Sequence, residues 1–401
     1  MTFQFAPAYP RFYMANQEPQ LFYPPKQIPL LVRLVQSITY PLARKLYHFD
    51  LTVSETAVAK VKAIDESRLV YICNHPTLED GIALFALSAR VGQLFHYIVA
   101  HESFGGLLGG FIQRMGCYSI RRGLGDRASI AETLSLLKQP RCRLVIFPEG
   151  GCSYQNDTVM PFRTGAIQMP LQVMASLAKK EDEADLYIVP LSLKYRYSQP
   201  MERVIEETLS RLEAKLDLSP DTAEFYPRLR AVAQVVLQQV EQEAGLIPCA
   251  EQDWNHRIDR LRNYFITTCE SKLGLKPNPN LPIRERVYKI QSLLETAEYQ
   301  DKYEAVHWIT MRLLNFDAIY DGYVAEAPTP ERFLDTLIRL EREVFQIEHP
   351  QPKAHRRACF YIGDPINLRH YLDDYAADRT ATIEALTEQL RQTMQDNLNQ
   401  L

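Results

Sequence analysis

The stretch that decides the fold runs Leu69-Val70-Tyr71-Ile72-Cys73-Asn74-His75-Pro76-Thr77-Leu78-Glu79-Asp80. Its first five residues form a continuous apolar run with the length of a buried strand. Thr77 can then cap a helix whose apolar face continues through Ile82, Leu84, Phe85 and Leu87. We therefore expect an α/β fold, in which a mostly parallel central sheet is flanked by helices and the site lies at the carboxyl ends of the strands.

His75 and Asp80 are candidate catalytic residues in this turn. Five residues span about 500° of helix, so the two side chains do not share a face within one helix. They meet only if His75 lies in the turn and Asp80 folds back from the first helical turn. Asp80 then accepts the Nδ1 proton, and Nε2 takes a proton from a substrate hydroxyl, a role commonly worth about two to four orders of magnitude in rate. Alternatively, Thr77 and Asp80 form a capping box, and Asp80 only satisfies amides at the helix start.

A second motif, Phe147-Pro148-Glu149-Gly150, ends an apolar strand about seventy residues later. A glycine at such a strand end lets the backbone approach a ligand closely. The alternative for Gly150 is ordinary turn chemistry. Together the two motifs predict one pocket that contains a general base, a carboxylate that orients it, and a backbone loop shaped for substrate.

These motifs and three further segments resemble the glycerophospholipid acyltransferase family, of the lysophosphatidate acyltransferase type. Asn74-His75-x4-Asp80 is similar to the first family motif, and Gly116-Cys117-Tyr118-Ser119-Ile120-Arg121-Arg122 to the second. Phe147-Pro148-Glu149-Gly150 is similar to the third, and Ile188-Val189-Pro190-Leu191 to the fourth. Phe162-Arg163-Thr164-Gly165-Ala166 is similar to the segment that starts the helix after the acceptor loop. The resemblance covers about residues 45–200.

The sequence also departs from the family pattern, at His101, where a lysine is usual, and at four positions within the motifs. Thr77 stands where a serine is usual, and Arg121 where an aspartate is usual. In the third motif, Gly151 and Cys152 replace the usual threonine and arginine. Nothing in the sequence pairs Cys152 with a base, so we interpret it as a small substitution with an inert thiol.

The resemblance implies direct acyl transfer from a thioester donor, acyl-carrier protein (ACP) or acyl-CoA, to a hydroxyl of a lysophospholipid, 1-acylglycerol-3-phosphate above all. His75 is then the general base and Asp80 its orienting partner. Neither an acyl-enzyme nor a cofactor is expected, and the sequence contains no Gly-x-Ser-x-Gly elbow. No spacing of cysteine and histidine suggests a metal site.

The arginines bear on the acceptor. Arg122, at a predicted strand end, can bind a phosphate in a bidentate way. The alternative is a solvated charge cluster, because other arginines lie nearby in the sequence. Arg163 can supply the charge that is missing at position 152. The predicted substrate-binding residues are Asn74, Arg122, Glu149, Gly150, Gly151 and Arg163.

Two other functions remain open at this stage. The same chemistry can act on a neutral or unusual lipid acceptor, which the replacements at Gly151 and Cys152 permit. The protein can also be a non-catalytic lipid-binding or regulatory protein on this fold, but such a protein has no need of the pair His75 and Asp80.

Composition limits the class and the compartment. The 401 residues carry a formal net charge of −4, which argues against a nucleic-acid binder. Seven cysteines without a Cys-x-x-Cys pair predict reduced thiols in the cytoplasm. We expect neither a signal peptide nor a transmembrane helix.

Residues 28–48 are the best candidate for membrane contact. Apolar residues recur there at helical spacing, at Leu31, Leu34, Val35, Ile38, Leu42 and Leu46. Arg33, Arg44 and Lys45 add a basic face, and Pro41 should kink or divide the helix. The helix either lies in the interface on the cytoplasmic side of a membrane or packs on the core.

We expect four segments along the chain. Residues 1–44 form an N-terminal arm and the amphipathic helix, 45–200 the acyltransferase core, 201–355 an inserted helical region, and 356–401 a returning strand and a closing helix. Gly363-Asp364-Pro365-Ile366 resembles the segment that follows the fourth family motif. The region 201–355 carries 19 basic and 26 acidic residues. Alternatively, the helices are an appended domain and the chain never returns to the sheet. We find no internal repeat in the sequence.

Overall fold

The computed structural model describes residues 21–180, 184–247, 253–317, 319–348 and 350–401. Residues 1–20 of the predicted arm lie outside the described residues. The chain divides into two compact units. The α/β unit contains the described residues of 21–121, 126–198 and 354–401, and the helical unit those of 122–125 and 199–353.

The α/β unit is built on an eight-stranded sheet within the described residues. The strands are β1 (Phe49–Val53), β2 (Arg68–Cys73), β3 (His96–Ala100), β4 (Cys117–Ile120), β5 (Arg143–Ile146), β6 (Leu186–Tyr197), β7 (Arg356–Ile362) and β8 (Ile366–Asn367). Their order is β1-β7-β6-β2-β5-β3-β4, with β8 beside β6. β6 pairs antiparallel with β7 and β8, and the other pairs are parallel. The expected α/β class with a mostly parallel sheet is confirmed.

The helices divide between the two units in chain order. The first six belong to the α/β unit: α1 (Pro29–Leu46), α2 (Glu55–Lys62), α3 (Asp80–Val91), α4 (Gly106–Arg114), α5 (Arg127–Lys138) and α6 (Gly165–Leu177). The helical unit contains α7 (Glu202–Lys215), α8 (Phe225–Glu243), α9 (Trp254–Lys272), α10 (Ile283–Leu294), α11 (Tyr303–Phe316), α12 (Tyr323–Glu326) and α13 (Pro330–Phe345). The chain then returns to the sheet through β7 and β8, and ends with α14 (Leu372–Ala377) and α15 (Arg379–Asn399).

Alternate residues of β2 pack into two hydrophobic layers, one on each face of the sheet. Val70 and Ile72 pack in one layer with side chains of α5, α6 and α15. Leu69, Tyr71 and Cys73 pack in the other layer with side chains of α2 and α3. Successive side chains of a strand point to opposite faces, so a central strand covered on both faces needs the uninterrupted apolar run that the sequence shows.

Helix α1 packs one face on the α/β unit and exposes the other. Its buried residues are Val32, Gln36, Thr39 and Ala43. The Gln36 amide donates to Ser88 Oγ and to the Gln93 carbonyl, which fixes α1 near the end of α3. The helix continues through Pro41 and is not divided there. Among the described helices, none is both long and apolar enough to cross a bilayer.

The helical unit contains a repeat that sequence inspection missed. Arg228, Arg257 and Arg286 follow one another at intervals of 29 residues, and each is the fourth residue of its helix. Each guanidinium donates two hydrogen bonds to a buried glutamate near the end of the preceding helix: Glu213, Glu241 and Glu270. The N···O distances of these bonds lie between 2.6 and 3.0 Å.

The turn after each glutamate repeats as well. The carbonyl of that glutamate accepts a hydrogen bond from the leucine five residues later: Leu218, Leu246 and Leu275. The residue before each leucine has positive φ, and it is Asp217, Gly245 or Gly274. These features define a Schellman-type helix end. The repeat was hard to see in the sequence because few residues, among them the arginine and the glutamate, recur unchanged, while the apolar residues that follow each arginine keep their positions but change type: Leu229, Ile258 and Val287, and likewise Val232, Leu261 and Ile290.

Candidate active site

The turn that contains His75 lies at the carboxyl end of β2. This strand is flanked by β5 and β6, and both run parallel to it. Residues 74–79 connect the end of β2 to the start of α3. The loop that begins at Phe147 leaves β5 at the same edge of the sheet. Ligand sites in parallel sheets are formed by such loops at the carboxyl ends of strands.

His75 and Asp80 are in direct contact. His75 Nδ1 lies 2.7 Å from Asp80 Oδ2, so the carboxylate accepts the Nδ1 proton. The Asp80 side chain is fully buried, whereas 19% of the His75 side chain is exposed. Among the described residues, Nε2 has no hydrogen-bond partner. The pair therefore has a buried orienting end and an imidazole that solvent can reach.

Thr77 holds the carboxylate in place. Its backbone N–H donates to Asp80 Oδ2 over 2.9 Å, and its hydroxyl donates to Oδ1 over 2.8 Å. Asp80 thus binds His75 and a turn amide at the same time, so the two interpretations from the sequence coexist. Thr77 is not the helix cap, because α3 begins at Asp80 and Glu79 is the capping residue. The turn is therefore longer than expected, because the helix begins at Asp80 and not directly after Thr77.

The loop after β5 encloses the same turn. The Phe147 ring stacks on the His75 imidazole with 4.3 Å between ring centroids. Glu149 is buried, and its Oε1 accepts the His75 backbone N–H over 3.3 Å. The Ser153 N–H donates to the His75 carbonyl over 2.8 Å. The half-buried Cys152 thiol donates to the Pro76 carbonyl over 3.3 Å. These contacts fix the imidazole from both its ring and its backbone.

Gly150 brings Arg163 close to this loop. Gly150 has a φ of +75°, which favours glycine. A Cβ at this position would lie 2.3 Å from the guanidinium carbon of Arg163. The Arg163 backbone N–H donates to the Pro148 carbonyl over 2.9 Å, just before α6. Glycine is therefore required both for its conformation and for the arginine that packs against it, while Gly151 follows as a buried residue.

Asn74 continues the sheet with its side chain. Its amide donates to the Leu193 carbonyl over 2.9 Å and accepts the Leu193 N–H over 2.7 Å. Asn156 makes the same two bonds with Tyr195. Two asparagine side chains thus replace a neighbouring strand along β6, where β2 has already ended. The sequence analysis missed Asn156, although it lies in the loop after the third motif.

The two arginines of the second motif have different surroundings. The Arg121 backbone N–H donates to Asp126 Oδ2 over 2.9 Å in the α/β unit. Arg122 belongs to the helical unit. Its guanidinium carbon lies 4.3 Å from the Tyr288 ring centroid, and its carbonyl accepts a hydrogen bond from Ser292 Oγ. The other predicted site residues all belong to the α/β unit.

Two ion pairs near β6 were also missed. Lys194 Nζ lies 2.6 Å from Asp157 Oδ1, with both side chains largely buried. Arg356 Nη2 lies 3.5 Å from Glu79 Oε2. Asp157 closely follows the third motif in the sequence, and that proximity is a usable signal. No local pattern indicates Arg356, since it reaches the site through the pairing of β7 with β6.

Comparison with known protein families gives a match over part of the chain. Residues 51–194 match the model of a family described as Acyltransferase. No curated protein matches the chain. The matched segment contains β2, β5 and both loops of the site. It supports an acyltransferase enzyme that acts in lipid metabolism.

Proposed function

We propose that this protein moves a fatty acyl group from acyl-ACP or acyl-CoA to a hydroxyl of a lysophospholipid, with 1-acylglycerol-3-phosphate as the acceptor. The observation that carries the proposal is the contact of 2.7 Å between His75 Nδ1 and Asp80 Oδ2, inside the segment that matches the acyltransferase family. A partly exposed imidazole backed by a buried carboxylate is the arrangement that general-base catalysis needs.

The chemistry follows from this pair. Nε2 of His75 takes the proton of the acceptor hydroxyl as the hydroxyl oxygen attacks the thioester carbonyl. A C–O bond forms, and Asp80 stabilises the imidazolium beside the tetrahedral oxyanion. The intermediate collapses as the C–S bond breaks, and the departing thiolate sulfur receives the proton from Nε2. No acyl-enzyme forms, so Cys152 has no role as a nucleophile.

Arg163 is the residue that we assign to the acceptor phosphate. Its guanidinium packs against Gly150, beside the loop that encloses the His75 turn. A guanidinium binds phosphate oxygens in a bidentate way that lysine does not reproduce. The alternative acceptor is a neutral lipid, and the packing of Arg122 over Tyr288 favours it.

The membrane surface is the second proposed partner, with the protein peripheral on the cytoplasmic face. The exposed side of α1 carries apolar side chains at every fourth position: Leu30, Leu34, Ile38, Leu42 and Leu46. The helix contains no acidic residue and has Arg33, Arg44 and Lys45. An apolar stripe with basic neighbours suits an interface that contains anionic headgroups.

The test is acyl transfer by the full-length protein from labelled acyl-ACP and acyl-CoA. The acceptors are lysophosphatidate, other lysophospholipids and monoacylglycerol. We expect transfer to lysophosphatidate, and we expect His75→Ala and Asp80→Asn to lower kcat by about two to four orders of magnitude. His370→Ala is the matched control, because His370 is exposed in the turn before α14 and should leave kcat unchanged.

The acceptor panel separates the alternatives. Arg163→Met should raise KM for lysophosphatidate and leave KM for monoacylglycerol unchanged. Transfer to monoacylglycerol alone, still dependent on His75, would establish a neutral acceptor. If folded protein binds the lipids but transfers to none of them, the protein is a lipid-binding protein on this fold.

A further inference from the structure

A buried arginine lies behind the histidine–aspartate pair. Arg356 is the first residue of β7, and in the sheet it is paired with Phe49 of β1 and Tyr197 of β6. Only 8% of its side chain is exposed. The strand that carries it returns to the α/β unit from the helical unit, so Arg356 is far from the site in sequence.

The guanidinium contacts two residues that adjoin Asp80. Its central carbon lies 4.5 Å from the ring centroid of Tyr195 on β6, and Nη2 lies 3.5 Å from Oε2 of Glu79. Glu79 directly precedes Asp80 in the chain and caps α3. The negative charge of Asp80 helps to raise the pKa of Tyr195, so these two side chains are electrostatic neighbours. Each of these two contacts therefore links Arg356 to Asp80 through one intervening residue.

The acidic groups around Arg356 explain why a protonated guanidinium is stable at this buried position. Burial lowers the pKa of Arg356, but the acidic groups around it, Glu79 first, outweigh burial and hold that pKa above its usual value. Arg356 is therefore always protonated. Burial raises the pKa of Tyr195, and also that of Cys73, which lies beneath the turn, so both of these groups are neutral. Among the described residues, the charged groups of the turn and of the loop around it include Glu79, Asp80, Glu149 and Arg163.

Two carboxylates lie on one side of the pair: Asp80 contacts the imidazole, and Glu79 precedes Asp80 in the chain. Glu79 and Asp80 are adjacent in the chain and largely buried, and negative charges close to an imidazole in general favour its protonated form. A general base must be free of its second proton before the hydroxyl arrives. A buried cation beside the carboxylates offsets part of their negative charge.

We propose that Arg356 is a positioning residue of the pair, whose buried charge balances those of Glu79 and Asp80 and so supports His75 as the base. This inference rests on the proposed function, because it assigns the purpose of the balance to general-base catalysis. It makes the returning strand β7 a part of the active site, although β7 lies outside the segment that matches the family.

The test compares four variants of the full chain. Arg356→Met removes the charge and keeps a long apolar side chain, and Arg356→Lys keeps the charge. Glu79→Gln removes the partner charge, and Arg356→Met/Glu79→Gln removes both. The first readout is the pH at which the His75 imidazole titrates, followed by NMR of histidine-labelled protein and assigned with His75→Ala. The second readout is the acidic limb of the profile of kcat/KM against pH.

We expect Arg356→Met to move both midpoints upward by about one pH unit. Arg356→Lys should leave them unchanged, Glu79→Gln should move them downward, and the double variant should return close to wild type. An arginine that only stabilises the start of β7 predicts lower stability with unmoved midpoints in Arg356→Met, and that result would overturn the inference. If Arg356→Met does not fold, an unmoved midpoint in Glu79→Gln overturns it equally. If the wild type transfers no acyl group, the proposed function fails, and the NMR titration still decides the role of Arg356.

Discussion

The arginine–glutamate pairs of the helical unit and the Asp80 site of the α/β unit bury charged side chains in different ways. Three arginines of the helical unit each have a carboxylate partner on the preceding helix, and both oxygens of that carboxylate are used. In the α/β unit, the buried Asp80 shares its oxygens between a threonine and an imidazole that can gain or lose a proton. Closed ion pairs fix which helices meet and in which register. A carboxylate hydrogen-bonded to an imidazole can instead orient that ring for proton transfer.

The largest effect should come from opening one closed pair. Arg286→Met leaves Glu270 buried without its partner, which should lower the free energy of unfolding by about 3 to 5 kcal/mol. Urea unfolding followed by circular dichroism measures this loss. Acyl transfer per folded molecule should stay within about twofold of wild type, because the pair lies in the other unit.

The control for this variant is Arg286→Met/Glu270→Leu. Replacement of both charges by apolar side chains should restore most of the lost stability, since no uncompensated charge remains. If the single and the double variant are equally unstable, the pair acts through packing alone and the contrast between the units is weaker than we infer.

A smaller effect is expected on membrane binding when an exposed apolar side chain is replaced in one unit or in the other. Leu34 on α1 is 64% exposed, and Ile247 in the helical unit is 84% exposed. Leu34→Gln should weaken binding to vesicles of phosphatidylcholine and phosphatidylglycerol about tenfold, because one apolar side chain no longer enters the interface. Ile247→Gln should leave binding unchanged. Sedimentation with the vesicles measures both variants, and equal losses would mean that α1 is not the membrane-binding element.

The smallest effect should come from the repeated helix ends. Asp217 has a φ of +55° at the position that Gly245 and Gly274 occupy in the next two repeats. Asp217→Gly should therefore be neutral or stabilise the protein by up to about 1 kcal/mol, whereas Gly245→Ala should destabilise it by about 1 kcal/mol. Thermal unfolding compares the two. Destabilisation by Asp217→Gly would show that the three turns are not equivalent.

The parts of the site that could be predicted from the sequence are those formed by residues close together in the chain. The apolar run of β2, the turn with His75 and Asp80, and the Phe147–Gly150 turn each lie within a short segment, so strand, turn and helix signals suffice to find them. The family resemblance then indicated that the two segments meet. The roles of His75, Asp80 and Arg163 in catalysis and binding remain predictions.

The parts that sequence could not predict depend on contacts between distant strands. Asn156 bonds to Tyr195, and Arg356 packs over the same ring, but neither relation leaves a local pattern. Arg122 follows a predicted strand, yet its guanidinium packs on a helix that begins far along the chain. The repeated arginine–glutamate pairs escaped because their periodicity lies in two charged positions, while hydrophobic patterns report the 3.6-residue period of single helices.

The position of β7 has a consequence for synthesis on the ribosome. Within the described residues, β1 pairs only with β7, and β7 also pairs with β6. The ribosome makes residues 198–355, with helices α7 to α13, between β6 and β7, which at about 5 to 20 residues per second takes on the order of ten seconds. Throughout this interval β1 has no strand to join, and one edge of β6 is open. The nascent chain must keep these edges from pairing with other chains until its last segment emerges.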